Sequence, residues 1–270
     1  MMRVEKLKEN HKSYTVTFID DDLNKTEYVV SEDLVVNHRL IKGKILDGTA
    51  FRVFMADYQI DAPMQKTKAL LSRYPKTVEE TKRYLQDLTD STEAVEKIIS
   101  ILIETKFLDD FGYVKRYFER YFHQDGNGPL KLQFELKQKG IADNILNGFL
   151  SHIGESDIEK NLDKLFHKKL ATLKQKPKMK AILSMKQYLY QKGYPIETAE
   201  RYVLKHAYEF AGEDAEASML EKDYKSIQRR YEKLDLTDYD RKSKMIQALM
   251  NKGYRYDAIK LYLEGRKNHE

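Results

Sequence analysis

Ten lysines lie between Lys160 and Lys192, and Asp163 is the single acidic residue among them. Around Pro177 the lysines alternate with other residues, at a position typical of a junction between two helices. A polyanion is a natural partner for such a segment, because each neutralised phosphate releases condensed counterions and adds salt-dependent affinity. An ordinary solvated helix face is the alternative. We predict contact with nucleic acid or an acidic protein surface through Lys168, Lys169, Lys174, Lys176, Lys178 and Lys180.

A second basic group surrounds an aromatic segment, for which the sequence predicts a helix over residues 110–124. Four apolar side chains recur at helical spacing and predict a buried stripe, namely Phe111, Val114, Phe118 and Phe122. A second stripe consists of Tyr113, Tyr117 and Tyr121, for which packing within a bundle is favoured over stacking on nucleic-acid bases. The weaker candidates for anion contact, on this helix and the next, are Lys115, Arg116, Arg120, Lys131, Lys137 and Lys139.

The sequence shows no recognisable catalytic or metal-binding constellation. Cysteine is absent, which excludes a thiolate zinc site and a cysteine nucleophile. The 7 histidines, including His269, never stand three or four residues apart, so they form no zinc-ligand pattern. Asp109 and Asp110 would project about 100° apart on a helix, so capping the helix that contains Phe111 is favoured over a metal or acid/base pair. We expect a non-enzymatic protein without a metal or cofactor.

Composition favours helices with a charged exterior. The 270 residues include 12 Gly and 5 Pro, both below the usual frequencies of about 7% and about 5%. Hydrophobic residues make up 41% and charged residues 34%, so a core can form beneath a heavily charged surface. No run of about 18 apolar residues predicts a membrane span, and the N-terminus lacks the apolar region of a signal peptide. We expect a monomeric cytoplasmic protein with no membrane partner.

The first sixty residues predict a small module that contains a β-hairpin. Residues 14–18 alternate apolar and polar side chains, and residues 27–30 return as a second strand after an Asp-rich turn. Ser31 can cap a short helix that continues to Leu40. The hairpin and helix together are too small for a convincing independent fold.

From Pro63 onward a helical frame occurs four times. Each copy places a leucine four residues before the end of a helix, at Leu85, Leu136, Leu189 and Leu249. Three copies end in Lys-Gly, at Gly140, Gly193 and Gly253, where glycine suits a left-handed helix C-cap. Thr77 to Glu80 and Ser156 to Glu159 both fit a capping box at the start of a helix.

Each copy of the frame has room for three helices that bury a shared face. We therefore predict a mainly α fold, with tandem three-helix repeats in an elongated curved array after the small β-hairpin-containing module. The predicted divisions are residues 1–62 for the module and residues 63–109, 110–153, 154–210 and 211–270 for the four repeats.

Two stretches of the second repeat resemble the central signature of the RecX family. The first is Phe107-Leu-Asp-Asp110-Phe-Gly-Tyr-Val114, and the second is Gly128-Pro-Leu-Lys-Leu-Gln-Phe-Glu-Leu-Lys-Gln-Lys-Gly-Ile141. Together they give Leu-Asp-Asp, an aromatic helix, a Gly-led loop and a helix ending in Lys-Gly-Ile. The resemblance extends over the whole chain, but two places depart from the family pattern. Arg73-Tyr-Pro-Lys-Thr77 replaces an Arg-x-Arg-Ser-like segment, and Leu88-Thr89 replaces the first Lys-Gly.

The resemblance implies a regulator, usually an inhibitor, of the RecA recombinase in DNA recombination, DNA repair and the SOS response. It implies binding in the groove of the RecA–DNA filament, limited filament extension and strand exchange, and direct binding of single- and double-stranded DNA. An alternative from another class is a sequence-specific duplex DNA-binding transcription factor, because three-helix units superficially resemble helix-turn-helix modules.

Overall fold

The structure, a computed structural model, describes residues 1–11 and 13–267. His269 and the last three residues of the predicted fourth repeat lie outside this range. The expected class is confirmed, because helices dominate and a small antiparallel sheet occupies the N-terminal part. The helices in the described range are all too short or too polar to cross a membrane.

The chain divides into two compact units. One comprises Met1–Arg116 with Leu136–Leu146, and the other comprises Tyr117–Glu135 with Asn147–Glu270. The division falls inside the predicted second repeat, whose residues are shared between the two units.

Unit one begins with a four-stranded sheet in place of a lone hairpin. Its strands are β1 (Met2–Glu9), β2 (Tyr14–Ile19), β3 (Lys25–Val30) and β4 (Ile45–Leu46), in the antiparallel order β3-β2-β1-β4. The sequence prediction found β2 and β3 but missed β1. The reason is a bulge between Val4 and Lys6, which shifts the inward positions so that simple alternation is lost along the strand.

Two helices complete the N-terminal module. Helix α1 (Glu32–Asn37) is capped by Ser31 as predicted, with the Ser31 Oγ accepting from the Leu34 N–H at 3.1 Å, but it ends before Leu40. Helix α2 (Gly48–Leu71) runs through the predicted boundary at residue 62, with Pro63 inside it. Its first half places Phe54 in the core under the sheet, while Leu71 at its end joins the next core. Burial at both ends therefore stabilises one continuous helix despite the proline.

Helices α3 (Val78–Gln86) and α4 (Thr92–Glu104) pack with the end of α2 around Leu85, Ile98 and Leu102. The predicted capping box at Thr77 is confirmed, because Thr77 Oγ1 accepts from the Glu80 N–H and Glu80 accepts from the Thr77 N–H. Burial raises the pKa of the Glu80 carboxyl, but hydrogen bonds from Lys139 and the Thr77 N–H outweigh burial and hold that pKa below its usual value.

The aromatic segment forms α5 (Asp110–Phe118), which continues as a π-helix over Glu119–Gln124. Val114, Phe118 and Phe122 are buried as predicted, but Phe111 is 61% exposed, so its assignment to the core stripe was wrong. It lies in the first turn of α5, where the helix has only begun to pack.

The adjacent aspartates before this helix have separate structural roles. Asp109 Oδ1 accepts from the Gly112 N–H at 2.9 Å, which is the predicted capping interaction. Asp110 Oδ1 accepts from the Val78 N–H at 2.9 Å and so covers the start of α3. Burial raises the pKa of the Asp110 carboxyl, and its effect outweighs that of the hydrogen bond from Val78, which lowers the pKa.

Eight further helices follow the π-helix along the chain of the described residues. They are α6 (Pro129–Gln138), α7 (Asp143–Leu150), α8 (Glu155–Leu170), α9 (Lys178–Gln191), α10 (Ile196–Lys205), α11 (Glu213–Tyr231), α12 (Asp238–Lys252) and α13 (Tyr256–Lys267). A 3₁₀ turn over Ala207–Glu209 follows α10. The capping box predicted at Ser156 was wrong, because α8 already begins at Glu155 with Gly154 as its extended N-cap.

Within the described residues of unit two, two hydrophobic cores are each formed by three helices. Helices α8, α9 and α10 share one, with Phe166, Met185 and Val203 at its centre. Helices α11, α12 and α13 share the other, which includes Leu249 and Ile259. Each core is formed by three successive helices, as expected for a chain of three-helix repeats.

The Lys-Gly helix ends form close backbone junctions. Gly193 follows α9 with φ +92°, and a Cβ there would lie 2.3 Å from the Cβ of Lys131 in the first turn of α6. Gly140 meets Glu79 in the first turn of α3 in the same way, and Gly253 meets Lys180 in the first turn of α9. Thr89, at the matching place after α3, is not in the left-handed region. The glycine is thus needed where a helix end packs on the start of an earlier helix.

Candidate nucleic-acid interface

The six strongest candidate lysines follow one another from α8 into α9. They are Lys168 and Lys169 in the last turn of α8, Lys174 and Lys176 in the connecting turn, and Lys178 and Lys180 in the first turn of α9. No described carboxylate lies within ion-pair distance of these six ammonium groups. Lys169 Nζ lies 5.3 Å from the centroid of the Tyr188 ring, but no described carboxylate neutralises the positive charge of the six lysines.

We call the last four of these residues, Lys174, Lys176, Lys178 and Lys180, the turn lysines. Two of them stand in the first turn of α9, where the helix dipole disfavours positive charge. Glu216 Oε1 accepts from the Lys178 N–H at 3.2 Å, and its negative charge offsets part of the unfavourable interaction with the dipole. Lys180 Nζ donates to the Asn251 carbonyl at 3.4 Å. An anion bound at this turn would neutralise charge that the fold leaves largely uncompensated.

The six weaker candidates differ in how far their charges are already paired. Lys115 and Arg116 are exposed on α5. Lys137 pairs with Asp143 at 2.7 Å, and Lys139 pairs with Glu80 at 2.8 Å, so these two charges serve ion pairs within unit one.

The remaining two weaker candidates, Arg120 and Lys131, belong to unit two. The Arg120 guanidinium lies 5.3 Å from the centroid of the Tyr121 ring. Lys131 Nζ is 3.9 Å from a Glu135 oxygen, a loose pairing that leaves it in an open cleft.

This cleft lies wholly within unit two and has a volume of about 570 Å³. We call it the lysine cleft, after the four lysines that line it: Lys131, Lys164, Lys168 and Lys192. Three tyrosines also line it, namely Tyr117, Tyr121 and Tyr188. Asp125 and Glu135 are the acidic residues among the lining groups that the structure describes, so positive charge is in excess.

The π-helix shapes one wall of the lysine cleft. Its widened turn lets the Asn127 N–H donate to the Tyr121 carbonyl at 2.8 Å, while the buried Asn161 amide donates to the Phe122 carbonyl at 2.9 Å. The Tyr117 and Tyr121 rings lie with centroids 4.3 Å apart, and the Tyr117 hydroxyl donates to Glu135 at 2.5 Å. Inserted π turns are frequent at functional sites because they redirect side chains from the α-helical register.

The junction at Gly193 joins two of the segments that line the cleft. The Gly128 N–H donates to the Lys192 carbonyl at 2.6 Å, and the Leu130 N–H donates to the Gly193 carbonyl at 3.0 Å. These bonds join the start of α6, which carries Lys131, to the end of α9, which is followed by Lys192. Backbone hydrogen bonds therefore hold these two segments in place, and their lysine side chains extend into the cleft from a fixed backbone.

Crowding of like charge affects Lys192. Burial is the largest cause that lowers the pKa of the Lys192 ammonium, and the nearby charges of Lys131 and Lys168 lower it further. Asp125 acts in the opposite direction and raises this pKa. Lys164 Nζ donates to the Gln124 carbonyl at 2.6 Å, which holds it at the rim. Such a cluster favours anion binding, because a bound anion would reduce the repulsion between the lysine ammonium groups.

Of the predicted residues the cleft contains Lys131 and Lys168, and it adds Lys164, Lys192 and Asn127, which the sequence prediction did not select. Tyr117 and Tyr121, for which the sequence favoured packing over base stacking, also line it. Both missed lysines belong to the lysine-rich stretch 160–192, yet local density singled out the turn lysines instead. Within the described part of the chain, no group of three or more His, Cys, Asp or Glu side chains is arranged to hold a metal ion.

Comparison with known proteins identifies relatives over nearly the whole chain. A model of the third three-helix domain of RecX matches residues 224–263. The regulatory protein RecX of Streptococcus agalactiae serotype III (strain NEM316) is 27% identical over 263 residues, which cover 96% of this chain and 97% of the relative. The regulatory protein RecX of Staphylococcus aureus (strain JH9) is 27% identical over 265 residues, which cover 97% of this chain and 94% of the relative.

Two crystal structures are also similar. One, of regulatory protein RecX, is 19% identical with a TM-score of 0.43 and covers 98% of this chain and 100% of that chain. The other, of RecX from Lactobacillus salivarius, is 20% identical with a TM-score of 0.32 and covers 78% of this chain and 97% of that chain. The near full-length sequence matches confirm the resemblance that the Leu-Asp-Asp and Lys-Gly-Ile segments indicate.

Proposed function

We propose that this chain, whose similarity to RecX regulatory proteins extends over nearly its whole length, regulates the RecA recombinase as an inhibitor. The observation that carries the proposal is that a regulatory protein RecX is 27% identical over 263 residues, which cover 96% of this chain. In this proposal the protein binds in the groove of the RecA–DNA filament, limits filament extension and strand exchange, and acts in the cytoplasm without catalysis of its own.

Inhibition of this kind requires only a difference in affinity. A ligand that binds one state of an assembly more tightly than the others shifts the equilibrium by that difference. The turn lysines and the lysine cleft support the proposal because they offer uncompensated positive charge to phosphate groups of DNA or to acidic groups of RecA.

The direct test adds the purified chain to RecA, single-stranded DNA and ATP. We expect ATP hydrolysis to fall as the chain is titrated, and filaments seen by electron microscopy to become shorter. Unchanged hydrolysis together with unchanged filament length would rule out regulation of RecA by this chain.

A charge-reversal variant tests direct DNA binding through the turn lysines. Replacing Lys174, Lys176, Lys178 and Lys180 with Glu should weaken single-stranded DNA binding and reduce the slope of log K against log salt by up to about 3, at about 0.7 for each phosphate that is no longer neutralised. The matched control has the same change in net charge at four exposed lysines elsewhere in the chain that have no described ion pair: Lys42, Lys66, Lys97 and Lys222. Equal binding by the two variants would mean that the turn lysines are only solvated surface.

Sequence preference separates this proposal from a duplex-reading transcription factor. A filament regulator that contacts phosphates should bind random and defined duplexes with similar affinity, since phosphate contacts carry no base information. Selection from a random duplex library should therefore return no consensus. A strong consensus would favour the transcription factor instead.

A further inference from the structure

We propose that the lysine cleft binds one nucleotide unit, with its phosphate against Lys131, Lys168 and Lys192 and its base against the Tyr117–Tyr121 pair. The inference deepens the proposed function and rests on it in one respect, namely that a single strand of nucleic acid supplies the nucleotide. The nucleotide chemistry itself follows from three features of the cleft.

The first feature is cationic. Lys168 and Lys192 have no described carboxylate at ion-pair distance, and Lys131 has only Glu135 at 3.9 Å. Glu135 is itself engaged, since it accepts the hydroxyl hydrogen of Tyr117. Three ammonium groups from α6, α8 and the end of α9 thus line one cleft, which suits the several oxygens of a phosphate.

The second feature is aromatic. The Tyr117 and Tyr121 rings form a tilted pair in the cleft wall, and the Arg120 guanidinium lies over Tyr121 at 5.3 Å. Proteins that bind single strands combine a positive groove with aromatic rings on which bases stack. A cleft of about 570 Å³ falls within the range that accommodates small organic ligands, so a base and its phosphate can enter together.

The third feature is an acceptor without a donor. Asn127 lines the cleft and is only 6% exposed as a residue, and its buried Oδ1 receives no hydrogen bond from the described residues. Buried acceptors in proteins almost always have a donor. The exocyclic amine of a base or a sugar hydroxyl would supply one. Because the cleft also has an aromatic wall, a nucleotide matches it better than a bare anion.

The test uses the full chain and four probes, namely dAMP, deoxyadenosine, inorganic pyrophosphate and a ten-residue deoxyadenosine oligonucleotide. Binding is followed by isothermal titration calorimetry and by quenching of tyrosine fluorescence. We expect dAMP to bind more tightly than deoxyadenosine or pyrophosphate, because dAMP alone among these three offers both a phosphate and a base. We expect the oligonucleotide to bind most tightly.

Two cleft variants separate the contribution of the lysines from that of the rings. The double variant Lys168→Ala and Lys192→Ala should weaken dAMP binding by about tenfold or more, since it removes two charge-assisted hydrogen bonds. Tyr121→Leu should weaken dAMP binding by about fivefold or more because the base has one ring fewer to stack on, while leaving pyrophosphate binding unchanged. The control is Lys160→Ala, an exposed position on α8 outside the cleft, which should leave both probes unaffected.

Asn127→Ala tests the role of the Oδ1 acceptor. This variant should weaken dAMP binding without changing pyrophosphate binding. If that variant does not fold, the Tyr121→Leu comparison still decides the question. Equal affinity for pyrophosphate and dAMP, both unaffected by Tyr121→Leu, would overturn the nucleotide site and leave an unspecific cation cluster. Absence of dAMP and oligonucleotide binding would overturn it as well.

The remaining comparisons identify the source of the nucleotide and keep the two proposals apart. Loss of oligonucleotide affinity in the cleft variants supports a strand as the source, whereas dAMP binding without that loss supports the site with a free nucleotide as its ligand. The turn-lysine variant should retain dAMP binding. If it does so while the parent chain has no effect on RecA, the proposed function fails and the nucleotide site stands.

Discussion

Replacing Gly193 with Ala should disrupt the junction between α6 and α9. The backbone at Gly193 has φ +92°, and an added Cβ would lie 2.3 Å from the Lys131 Cβ and 2.6 Å from the Lys131 backbone nitrogen. Since one of these atoms belongs to the backbone of α6, it cannot turn aside as the end of a flexible side chain could. The helix ends must separate instead.

The expected cost has two parts. A left-handed conformation costs an L-residue about 1–2 kcal/mol. Forcing an extra carbon into a packed contact adds about 1–3 kcal/mol. The free energy of unfolding of unit two should therefore fall by about 2–5 kcal/mol in the Gly193→Ala variant.

Two control variants isolate these parts. Gly43 has φ +88° but nothing within 4 Å of an added Cβ, so Gly43→Ala should show only the conformational cost, about 1–2 kcal/mol. Gly148 lies inside α7, without a left-handed φ and with open space around it, so Gly148→Ala should be neutral or stabilise the helix by up to about 1 kcal/mol.

The assay combines urea unfolding, followed by circular dichroism, with hydrogen exchange by mass spectrometry. The Gly128 and Leu130 N–H groups donate across the junction, so a peptide containing them reports its opening directly. Exchange there should accelerate about tenfold for each 1.4 kcal/mol of stability removed. If Gly193→Ala costs no more than Gly43→Ala and leaves this exchange unchanged, close backbone approach does not explain the glycine.

Three further predictions concern buried polar contacts. Asn161→Leu removes the hydrogen bond to the Phe122 carbonyl of the π-helix and should cost about 1–3 kcal/mol of stability by urea unfolding, whereas exposed Lys160→Ala should cost little. Thr77→Val loses both the acceptor for the Glu80 N–H and the bond to the Lys139 carbonyl, so thermal unfolding of unit one should show a loss of about 1–2 kcal/mol, in contrast to exposed Thr92→Val. Burial raises the pKa of Tyr194 above its ordinary value of 10.0, as it does for Tyr202 and Tyr254, so the stability due to their protonated hydroxyls is present below about pH 10 and is lost as pH rises further. Tyr194→Phe removes the buried hydrogen bond from the Tyr194 hydroxyl to the Gly126 carbonyl and should be less stable than the parent at pH 8. The difference should shrink towards pH 11, because only the parent loses the stability linked to the Tyr194 hydroxyl as pH rises; a constant difference would contradict this linkage.

Local sequence signals predicted those elements whose stabilising contacts are close in the chain. The β2–β3 hairpin, the Ser31 cap and the Thr77 capping box all depend on neighbours within a few residues, and all are present. Ser156 has the same pattern but lies inside α8, because the chain adopts its extended N-cap conformation two residues earlier. Phe111 fits the helical spacing of the apolar stripe, yet it is exposed. Helical spacing predicts which side chains share a face, but a side chain is buried only where another element packs over it.

The sequence by itself determined that the chain is mainly helical, that a frame of Leu and Lys-Gly recurs, and that lysine is concentrated between residues 160 and 192. The tertiary structure alone decided which distant segments the glycines and the lysines meet. Gly193 is required by its approach to Lys131, which is 62 residues away along the chain, as well as by its own φ. The lysine cleft likewise joins α6, α8 and α9 with a π-helix, so its charge and its aromatic wall arise from packing between segments that no local pattern connects.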